Sequence, residues 1–127
     1  MHQTGDFALI VYRNSGTAGI DGDGRPYGET GQNEAAQLDA DRKYWPVASM
    51  KKPRLRAIVY IVDGVVERIR GVDPGGQWIP DARGYWDIPV TAPLTAEQVT
   101  ERLPTLGIRL GDHRPHVRGK LREHVAL

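Results

Sequence analysis

The sequence predicts one α+β domain, built as a small curled β-barrel with two flanking helices, and three observations predict this class. Asp63-Gly64 lies between two runs rich in β-branched and aromatic residues, which is the strongest short-range hairpin signal. Asn33 and Thr95 each precede a segment that can form a capped helix. The chain of 127 residues is long enough for one domain with its own hydrophobic core.

The predicted hairpin at 57–72 is the centre of the fold. Its first strand is apolar on both faces, as is typical of a central strand covered on two sides. Its second strand is half charged and is expected to border a groove, with Arg68 and Arg70 on one face. An unbroken register from a two-residue turn pairs Val62 with Val65, Ile61 with Val66, Tyr60 with Glu67, Val59 with Arg68 and Ala57 with Arg70.

The N-terminal part is predicted to contain a buried strand, a long loop and a helix. Six apolar residues at 7–12 indicate the strand, and a glycine-rich loop of the length of 14–32 is usually functional or mobile. Asn33 caps a helix that is expected to run to about residue 44. The apolar stripe of this helix is weak, which predicts shallow packing.

The second helix is better specified, because Thr95 and Gln98 form a capping box and Leu94 and Val99 can form the hydrophobic staple. Pro104 ends this helix. Further strands are predicted at 77–80, at 84–90, at 107–110 and in the basic C-terminal segment. The alternation of strands and helices favours an α+β arrangement around a small barrel.

Composition favours a soluble cytoplasmic protein with one basic face. The chain has no cysteine, which excludes disulfides, thiolate metal sites and a cysteine nucleophile. It has neither a signal-peptide pattern nor an 18-residue apolar segment for a membrane span. Residues 1–50 carry four Lys and Arg against seven Asp and Glu, and residues 51–127 carry thirteen against nine. This uneven charge fits a surface that binds a polyanion.

Motifs for catalysis and for cofactors are weak. Asp21-Gly-Asp23 lacks the glutamate of a calcium loop. His113, His116 and His124 occur late in the chain, but the possible metal pair His113 and His116 has no nearby Cys or acidic third ligand at zinc spacing. No nucleophile elbow, P-loop or dinucleotide fingerprint is found. A non-catalytic protein without a cofactor or metal is therefore favoured. The alternative that stays open is a small hydrolase or nuclease that uses acidic residues of the long loop, such as Asp21, Asp23 and Glu29.

Aromatic pairs among basic residues are the remaining signal. In the extended pairs Tyr44-Trp45 and Tyr85-Trp86, one ring faces inward and its neighbour faces outward. Each ring is also compatible with a place in the core. Exposed rings beside cationic side chains are what base stacking with phosphate anchoring requires, so the pattern predicts nucleic-acid binding.

The same pattern resembles the PUA-like superfamily, which includes the SRA, EVE, YTH and ASCH domains. The resemblance extends from about residue 7 to residue 120 and is carried by a strand, a long loop, a helix and an aromatic-Trp motif. It is closest to small bacterial SRA-like or EVE-like modules over Tyr44-Trp45-Pro46-Val47 and the hairpin strand pair at 57–69. A Trp at 78 and a late Arg-Gly-Lys at 118–120 complete the pattern.

The resemblance implies a reader of a modified base, above all 5-methylcytosine in DNA, that flips the base into an aromatic pocket. An RNA-binding module of the ASCH type is the alternative. A nucleoid-associated location in the cytoplasm follows, and a homodimer is left open. The implied base pocket comprises Tyr12, Arg13, Asn14, Tyr44, Trp45, Val47 and Ser49. The implied contacts to the nucleic-acid backbone are Lys51, Lys52, Arg54, Arg56, Arg68, Arg70, Arg118, Lys120 and Arg122.

Overall fold

The fold is known from a computed structural model, which describes residues 5–43, 45–115 and 119–127. The strands are β1 (Phe7–Arg13), β2 (Gly19–Ile20), β3 (Pro26–Tyr27), β4 (Leu55–Val62), β5 (Val65–Val72), β6 (Ile79–Pro80), β7 (Trp86–Asp87), β8 (Val90–Pro93) and β9 (Arg122–Ala126). The α-helices are α1 (Glu34–Asp41) and α2 (Ala96–Arg102), and a 3₁₀ helix spans Ser49–Arg54. This element content confirms the α+β class.

Five strands form one mixed sheet in the order β8-β5-β4-β1-β9. β1 and β4 are parallel neighbours in its centre, while β9 lies antiparallel to β1 and β5 antiparallel to β4. The prediction that β4 is a central strand is therefore confirmed. Within the described ranges the sheet stays open and no closed barrel is found, so the curled barrel is not confirmed.

Separate hydrophobic clusters cover the two faces of the sheet, because successive residues of a strand point to opposite sides. One cluster contains Ile10, Val59 and Ile69 and packs against Val99 of α2. The other cluster forms on the opposite face around residues such as Leu9, Ile58, Tyr60 and Ile88. These two layers explain why β4 is apolar at successive positions.

The hairpin turn is confirmed, but the predicted register beyond it is wrong. Asp63 and Gly64 both have positive φ angles, 50° and 82°, as a two-residue hairpin turn requires. Val62 pairs with Val65 and Ile61 with Val66 as predicted.

A β-bulge then inserts Glu67 into β5, so Tyr60 pairs with Arg68 and Ile58 with Arg70. Arg68 and Arg70 still share a face, but it is the face of Tyr60 and Ile58. A pattern-based register cannot anticipate this shift, since a bulge changes the pairing by one residue.

Both helix caps are confirmed. The Asn33 side chain accepts a hydrogen bond from the amide of Ala36, although α1 ends at Asp41 and not at residue 44. Thr95 and Gln98 form the predicted capping box at the start of α2. The apolar staple residues next to this cap, Leu94 and Val99, belong to the same cluster.

We expect Thr95→Ala to lower the free energy of unfolding by about 0.5–2 kcal/mol, because the amide of Gln98 loses its acceptor. Urea denaturation followed by circular dichroism measures this change. Thr105→Ala is a suitable comparison, since Thr105 is exposed and lies outside the helix. An equal loss in both variants would show that the cap does not stabilise the helix.

Other predictions are confirmed only in part. The loop at 14–32 contains the small β2-β3 hairpin, and the strands predicted at 77–80 and 84–90 shorten to β6 and β7. The segment 107–110 is not a strand, because Gly107 has a φ of 71° and the backbone amide of Arg109 bonds to the Asp112 carboxylate. Within the described ranges, no helix has the length and apolar character needed to cross a membrane.

Candidate nucleic-acid interface

A buried ionic cluster lies between α1 and the sheet. Asp41, the last residue of α1, has a fully buried side chain. Its Oδ2 accepts hydrogen bonds from Nε of Arg68 at 3.0 Å and from Nε of Arg70 at 2.9 Å. Its Oδ1 accepts from Nη1 of Arg13 and from Nε2 of Gln37. One carboxylate therefore ties α1 to β1 and β5.

Two further carboxylates complete this cluster. Glu29 contacts Arg13 at 2.9 Å and Arg68 at 2.6 Å, and Glu34 contacts Arg70 at 2.8 Å. Three guanidinium groups thus face three carboxylates, and their formal charges cancel. Here "ionic cluster" means Arg13, Glu29, Glu34, Asp41, Arg68 and Arg70. The ionic cluster holds α1 on the sheet, as an apolar stripe does in other helices.

The protonation of the ionic cluster follows from these contacts. Burial acts to raise the pKa of Asp41, but Arg13 and Arg68 outweigh it and hold this pKa below its ordinary value. The hydrogen bond from Arg70 likewise lowers the pKa of Glu34. These carboxylates are charged when the protein is folded at neutral pH.

Arg68 and Arg70 are predicted from the sequence to contact phosphates at the surface, but the structure largely buries both side chains. The side chain of Arg70 has no exposed area and that of Arg68 is 13% exposed. Because both are bonded to carboxylates within the ionic cluster, neither presents its guanidinium to a phosphate in this structure. The groove expected beside the second hairpin strand is filled by α1.

A first cavity, here called the aromatic cavity, opens at the carboxyl end of β1. Its volume is about 480 Å³. Three residues of the predicted base pocket line it, together with one residue predicted to hold phosphate. These are Tyr12, Arg13, Trp45 and Arg122. The indole Nε1 of Trp45 donates to the carbonyl of Asp41 at 3.0 Å, which fixes the ring beside the ionic cluster.

The other predicted pocket residues lie elsewhere. Asn14 is exposed and its carbonyl accepts from Thr17, and Val47 is buried in the hydrophobic cluster. Ser49 lines a different cavity, described next. Tyr44 lies outside the described residues. The predicted base pocket is therefore not one site.

The second cavity, here called the basic cavity, has a volume of about 620 Å³ and lies at the amino end of β4. Its lining includes Ser49, Lys52, Arg56, Asp73 and Trp78. β1 and β4 are parallel, so the two cavities lie at opposite ends of this strand pair, about 20 Å apart by the rise of a seven-residue strand.

Trp78 and Lys52 form a wall of the basic cavity, and both are in contact with Trp86. The rings of Trp78 and Trp86 meet edge to face with 6.0 Å between their centroids. Nζ of Lys52 lies 3.7 Å from the ring centroid of Trp86 and 5.5 Å from that of Trp78. The indole of Trp86 donates to the carbonyl of Val47 at 2.8 Å, so this ring is fixed and Trp78 faces the cavity.

The basic segment is the 3₁₀ helix Ser49–Arg54 with the adjoining Arg56. Lys51, Arg54 and Arg56 are exposed and Lys52 is half-buried. Arg56 lies 3.6 Å from Asp6 but keeps 53% of its side chain exposed. Of these four predicted phosphate contacts, Lys52 and Arg56 line the basic cavity, and Lys51 and Arg54 lie beside them in the basic segment.

The remaining predicted phosphate contacts are separate from the basic segment. Lys120 contacts Glu123 at 3.3 Å, and Arg122 is exposed at the aromatic cavity. Arg118 lies outside the described residues. Lys120 and Arg122 lie at or just before the start of β9, which pairs with the carboxyl end of β1 and is therefore at the opposite end of the sheet from the basic cavity.

The acidic residues proposed for a hydrolase or nuclease are engaged in ion pairs. Asp21 and Asp23 contact Nζ of the buried Lys43 at 2.8 and 3.2 Å, and Glu29 belongs to the ionic cluster. The ring of His124 is tilted by 35° against that of Phe7, with 4.7 Å between the ring centroids. In the part of the chain that the structure describes, no three His, Cys, Asp or Glu side chains are grouped to hold a metal.

Sequence reasoning missed Asp41 as the centre of the ionic cluster and Trp78 as a cavity wall. The signal for Asp41 was present: a helix with a weak apolar stripe carries acidic residues, and the neighbouring strand carries two arginines. The role of Trp78 depends on its contact with Trp86, which only the tertiary structure provides.

In comparisons with protein families, curated proteins and solved structures, nothing matches this chain. The function is therefore inferred from the geometry and charge of the site.

Proposed function

We propose that the protein is a non-catalytic nucleic-acid-binding module that uses the basic segment and the basic cavity. The observation that carries this function is that two cationic side chains, Lys52 and Arg56, line a cavity walled by Trp78, with the exposed Lys51 and Arg54 next to them in the chain. Cations along a backbone track and an aromatic ring for a base are the two components of single-strand recognition.

Phosphate binding is assigned to the basic segment. Lys51 and Arg54 are exposed on the 3₁₀ helix, and Arg56 is exposed at the start of β4. Lys52 lies over the ring of Trp86. Each phosphate neutralised by such a cation releases counterions, so binding by this edge is salt dependent. The ammonium group of Lys52 lies over the ring of Trp86, and this cation–π contact keeps its charge near the cavity.

Base binding is assigned to the basic cavity, with Trp78 as the stacking surface. A volume of about 620 Å³ is within the range of ligand pockets. Oδ1 of Asp73 accepts from the amide of Gly75 at 3.0 Å, which fixes a carboxylate in the lining. A carboxylate is the acceptor that recognises the N4 amino group of cytosine.

The specific form of this function is recognition of 5-methylcytosine in DNA after base flipping. Leu55 and Val72 give the basic cavity apolar surface for a methyl group, whose burial contributes about 0.8 kcal/mol. Discrimination by the methyl group alone is then about fourfold. This proposal includes a relation to PUA-like proteins. The aromatic and basic site supports that relation, whereas the open sheet does not, because PUA-like domains are built on a barrel.

We expect the double variant Lys51→Gln, Arg54→Gln to bind a cytosine-rich oligonucleotide more weakly and to lower the salt slope of log K by about two. The control Arg83→Gln, Arg109→Gln removes the same charge from exposed positions outside the basic segment. Fluorescence anisotropy over a series of salt concentrations measures both. An equal loss of affinity and slope in the two double variants would contradict a localised interface.

Trp78→Leu tests the base contact with the cations left in place. We expect affinity for a single strand to fall by roughly 5- to 150-fold, because base stacking contributes about 1–3 kcal/mol. Methylated and unmodified duplexes, the corresponding single strands and RNA are compared at one salt concentration. Tighter binding of RNA than of every DNA would favour the RNA-binding alternative, and cleavage in the presence of magnesium or manganese would favour a nuclease.

A further inference from the structure

We propose that the aromatic cavity is a second binding site, which takes a small aromatic carboxylate independently of the nucleic-acid function. Its lining combines the rings of Tyr27 and Trp45 with the guanidinium groups of Arg13 and Arg122. A cavity of about 480 Å³ with apolar walls and a few convergent polar groups is the usual form of a small-molecule site.

Arg13 supplies the specific contact. Its side chain is only 8% exposed, and Nη1 donates to both Glu29 and Asp41. Nε and Nη2 donate to no group of the described residues. These two atoms form one edge of the guanidinium, which matches the two oxygens of a carboxylate. Arg13 lines the aromatic cavity with its guanidinium 5.9 Å from the ring centroid of Trp45, and we infer that this edge is the donor for a carboxylate bound there.

The aromatic walls are held in place. The indole of Trp45 is fixed by its hydrogen bond to the carbonyl of Asp41. The ring of Tyr27 lies against Gly19, where a Cβ would stand 2.4 Å from the phenol oxygen, so the close approach needs glycine. Tyr27 nevertheless remains 41% exposed, which leaves part of its ring open for a planar ligand.

Charge favours a monoanion. The ionic cluster is neutral, and its carboxylates Glu29 and Asp41 bond to the same Nη1 that neighbours the open edge of Arg13. A doubly charged group such as a phosphate would be repelled by these carboxylates more strongly than a single carboxylate. Arg122, exposed in the lining, adds a positive charge that offsets one negative charge on the ligand.

A titration with 2-naphthoate, followed by the NMR signal of the Trp45 indole N–H, tests this site in the full chain. We expect a saturable shift of that signal, no comparable shift for Trp78, and at least tenfold weaker binding of the neutral 2-naphthamide. Arg13→Lys keeps the charge but loses the bidentate edge, and should weaken binding of 2-naphthoate at least tenfold.

Arg13→Lys also alters the ionic cluster, so a loss of binding in that variant could come from a change in the fold. Two variants at exposed positions therefore test the binding site separately. Arg122→Gln and Tyr27→Leu should each weaken 2-naphthoate binding at least threefold, whereas Arg109→Gln should leave it unchanged. Equal binding of 2-naphthoate and 2-naphthamide, or unchanged binding in both Arg122→Gln and Tyr27→Leu, would overturn the site. Trp78→Leu leaves the aromatic cavity intact, so loss of oligonucleotide binding in that variant does not affect this result.

Discussion

Asp41→Asn is expected to lower the free energy of unfolding by about 3–5 kcal/mol, the usual cost of removing one partner from a buried ion pair. Asp41 is fully buried and accepts hydrogen bonds from Arg13, Arg68 and Arg70. An asparagine keeps the size of the side chain but leaves the guanidinium groups with an uncompensated positive charge. It also turns one acceptor oxygen into a donor that faces those groups.

Urea denaturation at pH 7 measures this loss, and Asp39→Asn is the matched control on the same helix. Asp39 contacts Arg25 at 2.7 Å, but its side chain is 42% exposed, so its loss should cost less than about 1 kcal/mol. Equal effects of the two substitutions would show that the ionic cluster does not hold α1 on the sheet. Such a result would also mean that Arg68 and Arg70 could be available to contact a ligand.

The second large effect is a fall in stability as the pH decreases from about 5 to about 2. The pKa of Asp41 and that of Glu34 lie below their ordinary values in the folded protein. The hydrogen bond from Tyr12 is the main cause that lowers the pKa of Glu123 to about 2 from 4.5.

In this range the unfolded chain binds more protons than the folded chain, so unfolding becomes more favourable as the pH falls. The stabilisation is fully present above the ordinary carboxyl pKa values and is lost as the pH falls toward the folded ones. Burial also lowers the pKa of His124, which adds a loss of the same sign as the pH falls through the ordinary histidine range near 6.5.

Urea denaturation at a series of pH values measures this dependence. Glu123→Gln should reduce the steepness of the acid limb, because one carboxylate with a lowered pKa is removed. Glu97→Gln is the comparison, since Glu97 is exposed in the first turn of α2. Two profiles of the same steepness would contradict the contribution assigned to Glu123.

The ionic cluster explains how a helix with few apolar contacts remains on the sheet. Buried residues of α1 include Gln37 and Asp41, both polar, and the carbonyl of Asp41 also accepts from the hydroxyl of Tyr60 at 2.9 Å. Charge-assisted hydrogen bonds thus take the place of hydrophobic packing. They depend on geometry, so they fix the helix position more narrowly than apolar contact does.

Local features of the fold could be predicted from the sequence because they depend on neighbours in the chain. Residue type and spacing predict the turn at Asp63-Gly64 and the capping box of Thr95 and Gln98. They also predict that β4 is buried on both faces. The candidate site could be predicted only in part. The cations of the basic segment are near one another in sequence, and two of them, Lys52 and Arg56, line one cavity in the structure.

The sequence by itself determined the α+β class, the central hairpin and a basic stretch before it. The tertiary structure alone decided which charges are available to a ligand. The bulge at Glu67 shifts the arginines of β5 to the face that α1 covers, and Asp41 reaches them from far along the chain. Charge pairing depends on distance in space, whereas sequence patterns report only distance along the chain.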